Sequence, residues 1–229
     1  MALPNLDVPR FNIKVPGIEE EILARPFLVK EGNILTQAAA SDISSQFLAV
    51  QQVIENCTFG EVAVKKLEMY QLQYIFLKLK GRSTGPEQEF VLTCGKCETK
   101  INYTMDMDSF ETVGNIEENR KDIRINDKGG IIFKRPAAEV MIQIDKLSDL
   151  EVILNCVEAV YDTEETTVPE DLDPEEFKEF VENLPLAVLE EAREFLSETP
   201  VLGKAIQFKC SSCGTTNEAI INGVEHFFV

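Results

Sequence analysis

A chain of 229 residues, 44% apolar and 27% charged, has enough apolar material for one large core or two small ones, which excludes disorder as its default state. Its 40 Asp+Glu against 22 Lys+Arg leave a net charge of −18, and this argues against any function built on sequence-independent phosphate contacts, which need a cationic surface. No apolar run approaches the roughly 20 residues that span a bilayer, and the start, MALPNLDVPRFNIKVPG, has neither a basic nor an apolar leader region, so a soluble, cytosolic chain is expected.

Alternation in Phe11-Asn12-Ile13-Lys14-Val15, a Pro16-Gly17 turn and the apolar pair Ile22-Leu23 predict an opening hairpin. The block LVKEGNILTQAAA reads as helical. Ser41 then serves as the expected N-cap of a helix whose Ile43, Phe47, Val50, Val53 and Ile54 form one apolar stripe. LEMYQLQYIFLKLKGRS predicts a helix with a wide apolar face, ending near Gly81. Beyond the linker GRSTGPEQ, strand EFVLT leads into Cys94-Gly95-Lys96-Cys97, and Ile101, Tyr103, Met105 and Met107 alternate in a returning strand, which places the pair at a hairpin tip.

Residues 111–130 are polar, with Asn126-Asp127-Lys128-Gly129-Gly130 as a turn before two predicted strands, IIFKR and EVMIQI. A helix from about Ser148, with Leu150, Ile153, Leu154 and Val157 on one side, runs into the acidic stretch YDTEETTVPEDLDPEE, read as a solvated loop. Two amphipathic helices follow, opened by Asp173-Pro174 and by Pro185. Strand AIQFK, the pair Cys210-Ser211-Ser212-Cys213 and strand EAIING close the chain, running into Val224–Val229. The fold class is therefore α+β, helices with short β-hairpins. Three regions are expected: an N-terminal α+β half over 1–110, a linking β-hairpin region over 111–145, and a C-terminal helical half over 146–229.

Six cysteines without a secretory leader, four of them in CxxC pairs, point to metal thiolates in a reducing compartment rather than disulfides. Each pair lies in a turn between two strand-like segments, with Gly95 or Gly214 close by, as a zinc knuckle presents two thiolates. Cys94, Cys97, Cys210 and Cys213 are thus the predicted ligands of one structural Zn2+, with the two hairpins brought together around it. Four thiolates complete the shell and leave no position for water or substrate. The whole of 98–209 separates the pairs. Closing a loop of about 100 residues costs roughly 4 to 5 kcal/mol, whereas a structural zinc contributes roughly 10 to 16 kcal/mol, so the metal offsets the closure.

Redox-active pairs and free thiols are the competing readings; against the first, neither CxxC opens a helix. Cys57 and Cys156 lie on helical stripes and are expected to be inert buried thiols. His226 is a further possible ligand, unneeded if four thiolates fill the shell. No HExxH, GxSxG, P-loop or GxGxxG pattern occurs, so no enzymatic activity and no catalytic residue is predicted. A carboxylate-dependent hydrolase and a zinc-ribbon nucleic-acid-binding or transcription-associated factor are the alternatives; the second would need a basic face.

The opening ALPNLDVPRFNIKVPG, the Arg25–Glu31 segment RPFLVKE, ENCTFG at 55–60, FLKLKGRSTG, both CxxC hairpins and the run EEFKEFVENLPLAVLEEAREFLSETPVLGKAIQFKCSSCGTTNEAIINGVEHFFV resemble the baseplate hub assembly proteins, or chaperones, of T-even-type contractile-tailed phages. The resemblance extends over nearly the whole chain, apart from 111–130 and 162–172. It implies a non-enzymatic hub protein or assembly chaperone, with other tail baseplate hub proteins as partners and neither nucleic acid nor membrane. The location it implies is the host cytoplasm during assembly or the virion tail baseplate. Phe227 and Phe228 are candidate contact residues, with packing of an edge strand on the core as the simpler reading.

Overall fold

The computed structural model describes residues 7–222. In chain order these form β1 (Phe11–Ile13), β2 (Ile22–Ala24), α1 (Val29–Ala38), α2 (Ile43–Cys57), α3 (Met69–Thr84), β3 (Glu87–Thr93), β4 (Lys100–Asp106) and β5 (Glu111–Val113). There follow β6 (Arg120–Asn126), β7 (Gly129–Lys134), α4 (Ala138–Ile142), α5 (Asp149–Cys156), β8 (Val157–Tyr161), β9 (Thr166–Thr167), α6 (Pro174–Glu182), α7 (Leu186–Ser197), β10 (Val201–Lys209) and β11 (Thr216–Asn222). Helix and strand are mixed, as read from the sequence. No helix among the described residues is long and apolar enough to cross a membrane. His226, Phe227 and Phe228 lie outside the described residues.

Two compact units divide the described residues: 7–113 together with 201–222, and 114–200. This differs from the three consecutive regions read from the sequence. The first boundary falls close to the predicted one, but the second CxxC hairpin belongs to the same unit as the first rather than to the helical segment before it. The reason is the short strand β5, which pairs antiparallel with β10 in the register Val113↔Val201 to Glu111↔Gly203. That ladder returns the chain to the first unit immediately after residue 200, so 114–200 is an insertion.

In the first unit, β1 and β2 pair from Phe11↔Ala24 to Ile13↔Ile22, the opening hairpin expected. The predicted stripe of α2 is buried at Phe47, Val50, Val53 and Ile54, while Ile43, in its first turn, stays 60% exposed. The N-cap is Asp42 and not Ser41: the Ser45 amide donates to Asp42 Oδ1 at 3.0 Å. Ser41 instead closes the preceding turn, its amide donating to the Ala38 carbonyl at 2.8 Å. Helix α3 buries Tyr70, Leu72, Ile75, Phe76, Leu77 and Leu79, each contributing roughly 1.5–3 kcal/mol of burial. It runs through Gly81, where the packing outweighs a cost of about 1 kcal/mol, and stops at Gly85, whose φ of +104° is a conformation glycine adopts freely.

Between β2 and α1 the chain buries an ion pair. Arg25 is 7% exposed and Glu31 0%. The guanidinium donates through Nη2 to Glu31 Oε1 at 3.0 Å and through Nη1 to Oε2 at 3.1 Å, a two-pronged contact. Arg25 also donates to the carbonyls of Pro26 and Asn56, at 3.0 and 3.2 Å. Glu31 Oε2 accepts from the Leu28 amide at 2.9 Å, so the same carboxylate starts α1. Burial by itself would raise the Glu31 carboxyl; the Arg25 guanidinium and the Leu28 amide more than offset this and hold it below its ordinary value.

The second unit is built on the four-stranded sheet β6-β7-β8-β9. Its core joins Ile123, Ile131 and Phe133 of the sheet to Ile153 of α5, Val181 of α6 and Ala192 of α7. The predicted turn forms, with Asn126 Oδ1 accepting from the amides of Lys128 (2.8 Å) and Gly129 (3.1 Å). Two assignments change. EVMIQI, read as a strand, gives α4 and a 3-10 turn, because the place beside β7 is taken by β8, in the register Ile131↔Val160. Val157, read as the end of a helical stripe, opens that strand, and Arg120–Asn126, read as polar linker, is its partner across β7. The acidic stretch is also more ordered than a loop: Thr166–Thr167 extends the sheet and 169–171 makes a 3-10 turn.

Candidate metal centre

Both CxxC pairs sit at hairpin tips, as the alternation predicted. Strands β3 and β4 pair from Glu87↔Asp106 to Thr93↔Lys100, leaving 94–99 as the connecting loop. Strands β10 and β11 pair from Gly203↔Asn222 to Lys209↔Thr216, leaving 210–215. The two loops are folded alike. The Cys94 amide donates to the Thr99 carbonyl at 3.0 Å and the Cys210 amide to that of Thr215 at 2.8 Å. The Glu98 amide donates to the Cys94 carbonyl and the Gly214 amide to the Cys210 carbonyl, both at 3.0 Å. Glu98 and Gly214, each directly after the second cysteine of its pair, both have left-handed backbones, with φ of +58° and +69°.

The four sulfurs come together. Cys94, Cys97, Cys210 and Cys213 place their Sγ atoms all within 4.8 Å of one another. Across the hairpins, Cys94 and Cys213 are 3.7 Å apart and Cys97 and Cys210 3.6 Å. A tetrahedral ion with metal–sulfur bonds of about 2.3 Å needs sulfur–sulfur edges of about 3.8 Å, so the donor set and its dimensions fit a four-thiolate ion. Cys94 and Cys210 are buried at the base of the cluster, while Cys97 and Cys213 face solvent.

Local hydrogen bonding favours the thiolate at Cys94 and Cys213, whereas at Cys210 the Cys213 amide lowers the thiol but burial and the neighbouring Cys97 and Cys213 thiols more than offset it and hold it up. The Lys96 amide, 3.5 Å from Cys94 Sγ, together with the Cys97 amide, lowers the Cys94 thiol. The hydroxyl and amide of Thr215 bring the Cys213 thiol down to about 6, with the hydroxyl 3.3 Å from the sulfur. The Thr99 hydroxyl lies 3.2 Å from Cys97 Sγ. The repeat Cys-x-Thr, at Cys97–Thr99 and Cys213–Thr215, is a signal of these contacts that the sequence carries. Asn217, which touches the first loop from the second hairpin, carries no such signal. The remaining cysteines are elsewhere: burial pushes Cys57 up to about 11, beside Arg25, and Cys156 up to about 12, in the core of the second unit.

The left-handed residues give a direct check on the loops. A Cβ at Gly214 would meet nothing within 4 Å, so the cost of adding one is conformational. Gly214→Ala is expected to lower stability by about 1–2 kcal/mol, and Glu98→Gly, which relieves the same strain, is expected not to lower it. Denaturant unfolding of the two variants distinguishes them by sign.

Fold and site together define a chain of mixed helix and strand in which the one cluster of metal-ligating side chains among the described residues is a set of four thiols. An ion shared by four sulfurs would have no open coordination position. Comparison with known proteins supplies the family. The profile of the family described as "T4 bacteriophage base plate protein" matches residues 8–229, and the chain belongs to that family. It is also similar to a curated protein of Enterobacteria phage T4, "Baseplate hub assembly protein gp26", with 24% identity over 228 residues, covering 96% of this chain and 97% of the relative. No solved structure matches.

Proposed function

We propose that this protein is a non-enzymatic factor in the assembly of the tail baseplate hub, held in shape by one structural zinc ion. The observation that carries the function is the family match over 8–229 together with the end-to-end similarity to a protein named for hub assembly. The four-sulfur cluster supports the metal. Cys94, Cys97, Cys210 and Cys213 would hold the zinc, which stabilises the folded hairpins and offers no open coordination position. Partners are then other baseplate hub proteins, met in the host cytoplasm or in the tail baseplate itself. The excess of 40 acidic over 22 basic residues weighs against the alternative of a zinc-ribbon factor for nucleic acid.

The test of function is co-expression of the tagged chain with the products of the flanking tail genes, followed by affinity capture and size exclusion. A stoichiometric complex with at least one hub protein is expected. Elution of the chain alone in every combination overturns the reading.

A further inference from the structure

One side chain that is not a ligand ties the two cysteine loops together. Asn217, on β11, accepts at Oδ1 from the Gly95 amide at 3.0 Å. Its Nδ2 donates to the Thr215 carbonyl at 3.0 Å and to Cys94 Sγ at 3.5 Å. Those partners fix the orientation of the amide, because the Gly95 N–H can only donate and the Thr215 carbonyl can only accept. The clamp therefore reaches from one hairpin to the loop of the other and touches a sulfur of the cluster directly.

The two loops are otherwise near copies, and this is where they part. Four residues after the second cysteine of the first pair stands Ile101, which has no group to return the contact. The hold is one-sided, from the second hairpin onto the first. Its chemistry also has a sign. Four thiolates around a divalent ion carry a net charge of −2, and an N–H aimed at one sulfur stabilises that charge. Among the sulfur contacts, the Lys96 amide serves Cys94 from its own loop and Asn217 serves it from across the cluster.

We infer that Asn217 is the positioning residue of the metal centre, holding the Cys94 loop in register and donating to the Cys94 thiolate in the zinc-bound state. The inference rests on the zinc reading above. An aspartate has the same shape and keeps the acceptor for Gly95, but it sets a carboxylate oxygen against a carbonyl and a thiolate. Alanine only removes the contacts. The order wild type, then Asn217→Ala, then Asn217→Asp is therefore the order of falling metal affinity, and it reports electrostatics rather than packing.

The experiment uses the full chain purified with zinc, and measures equilibrium transfer of zinc to a chromophoric chelator together with its release rate. The release rate is read on metal-loaded protein, so it remains measurable if a metal-free variant does not fold. Asn217→Asp is expected to hold zinc roughly 10–100-fold more weakly than wild type, with Asn217→Ala between them. In the cobalt-substituted proteins the thiolate-to-metal absorption bands are expected to shift in the same order. Variants that match wild type within about twofold, or that lower the melting temperature while affinity, release rate and cobalt bands stay the same, overturn the positioning role. A wild-type chain that takes up no metal overturns the zinc reading itself, and the role of Asn217 with it.

Discussion

Cys210→Ser is expected to abolish near-stoichiometric zinc and to lower the melting temperature by more than about 10 °C. The magnitude follows from the ledger of the site. A structural zinc contributes roughly 10 to 16 kcal/mol of binding at neutral pH, and in a chain of this size each kcal/mol shifts the midpoint by about 2–4 °C. Loss of about half of that binding thus gives the predicted shift even at the lower end of both ranges. Cys210 is 2% exposed, so its replacement also leaves a buried hydroxyl in place of a sulfur. Elemental analysis with thermal unfolding checks both parts. A variant that melts with the wild type, or a wild-type chain purified without zinc, sinks the idea.

Acid should reach the same state by another route. Each sulfur must shed a proton to bind, so the proposed zinc is expected to be retained at neutral pH and released as the pH falls. The Cys213 thiol, at about 6 without metal, is largely ionised at pH 7 and protonated well below 6. A chelator should therefore strip the metal faster at pH 5 than at pH 7.5.

Glu31→Gln is expected to cost about 3–5 kcal/mol, the range for breaking a buried ion pair by removing one partner. The amide side chain is isosteric and can still accept from the Leu28 amide, so the cap of α1 survives. What is lost is the charge facing Arg25, whose other contacts, the carbonyls of Pro26 and Asn56 and the Cys57 sulfur, supply no full negative charge. Arg25→Met combined with Glu31→Gln should recover most of the loss, since no charge is then left buried and the α1 cap is kept. Urea unfolding of the single and double variants decides this, and a single-variant cost under about 1 kcal/mol would rule out a structural role for the pair.

The pH dependence of that contribution is fixed by direction. The Glu31 carboxyl ionises below its ordinary value of 4.5 in the folded chain. Its pairing therefore stabilises fully above about pH 4.5 and is lost as the pH falls through the folded value. Wild type should lose stability faster than Glu31→Gln on acidification.

The sequence carried the two cysteine pairs in plain view, because a CxxC in a tight turn is local chemistry: two sulfurs within four residues need no tertiary contact to face the same way. It also carried the stripe of α2 and the apolar face of α3, whose periodicity is set by residues a turn apart. Strands β6 and β8 were not legible. A run such as Arg120–Asn126 has one buried position, Ile123, and reads as polar until β7 lies beside it. EVMIQI is apolar enough for either state, and periodicity cannot choose over so few residues. The choice was made by competition for one edge of β7, which β8 won.

The Arg25–Glu31 pair shows the same divide on the side of electrostatics. Nothing in the composition of RPFLVKE says that both charges are buried. Only the packing of the first unit takes the pair out of water.

For the cysteines the division is clearest. The sequence determined that there would be two knuckles and which sulfurs each would present, since a loop of six residues fixes its own hydrogen bonds. It also set the problem of joining them across the intervening 98–209. Tertiary structure decided the solution. The ladder of Glu111–Val113 with Val201–Gly203 brings the chain back into the first unit, and Asn217 reaches across to Gly95. The proposed metal would then not have to draw two distant halves together: it would close a site whose hairpins already belong to one unit. Long-range pairing of this kind depends on which strand edges are free to meet, and no window of sequence contains that information.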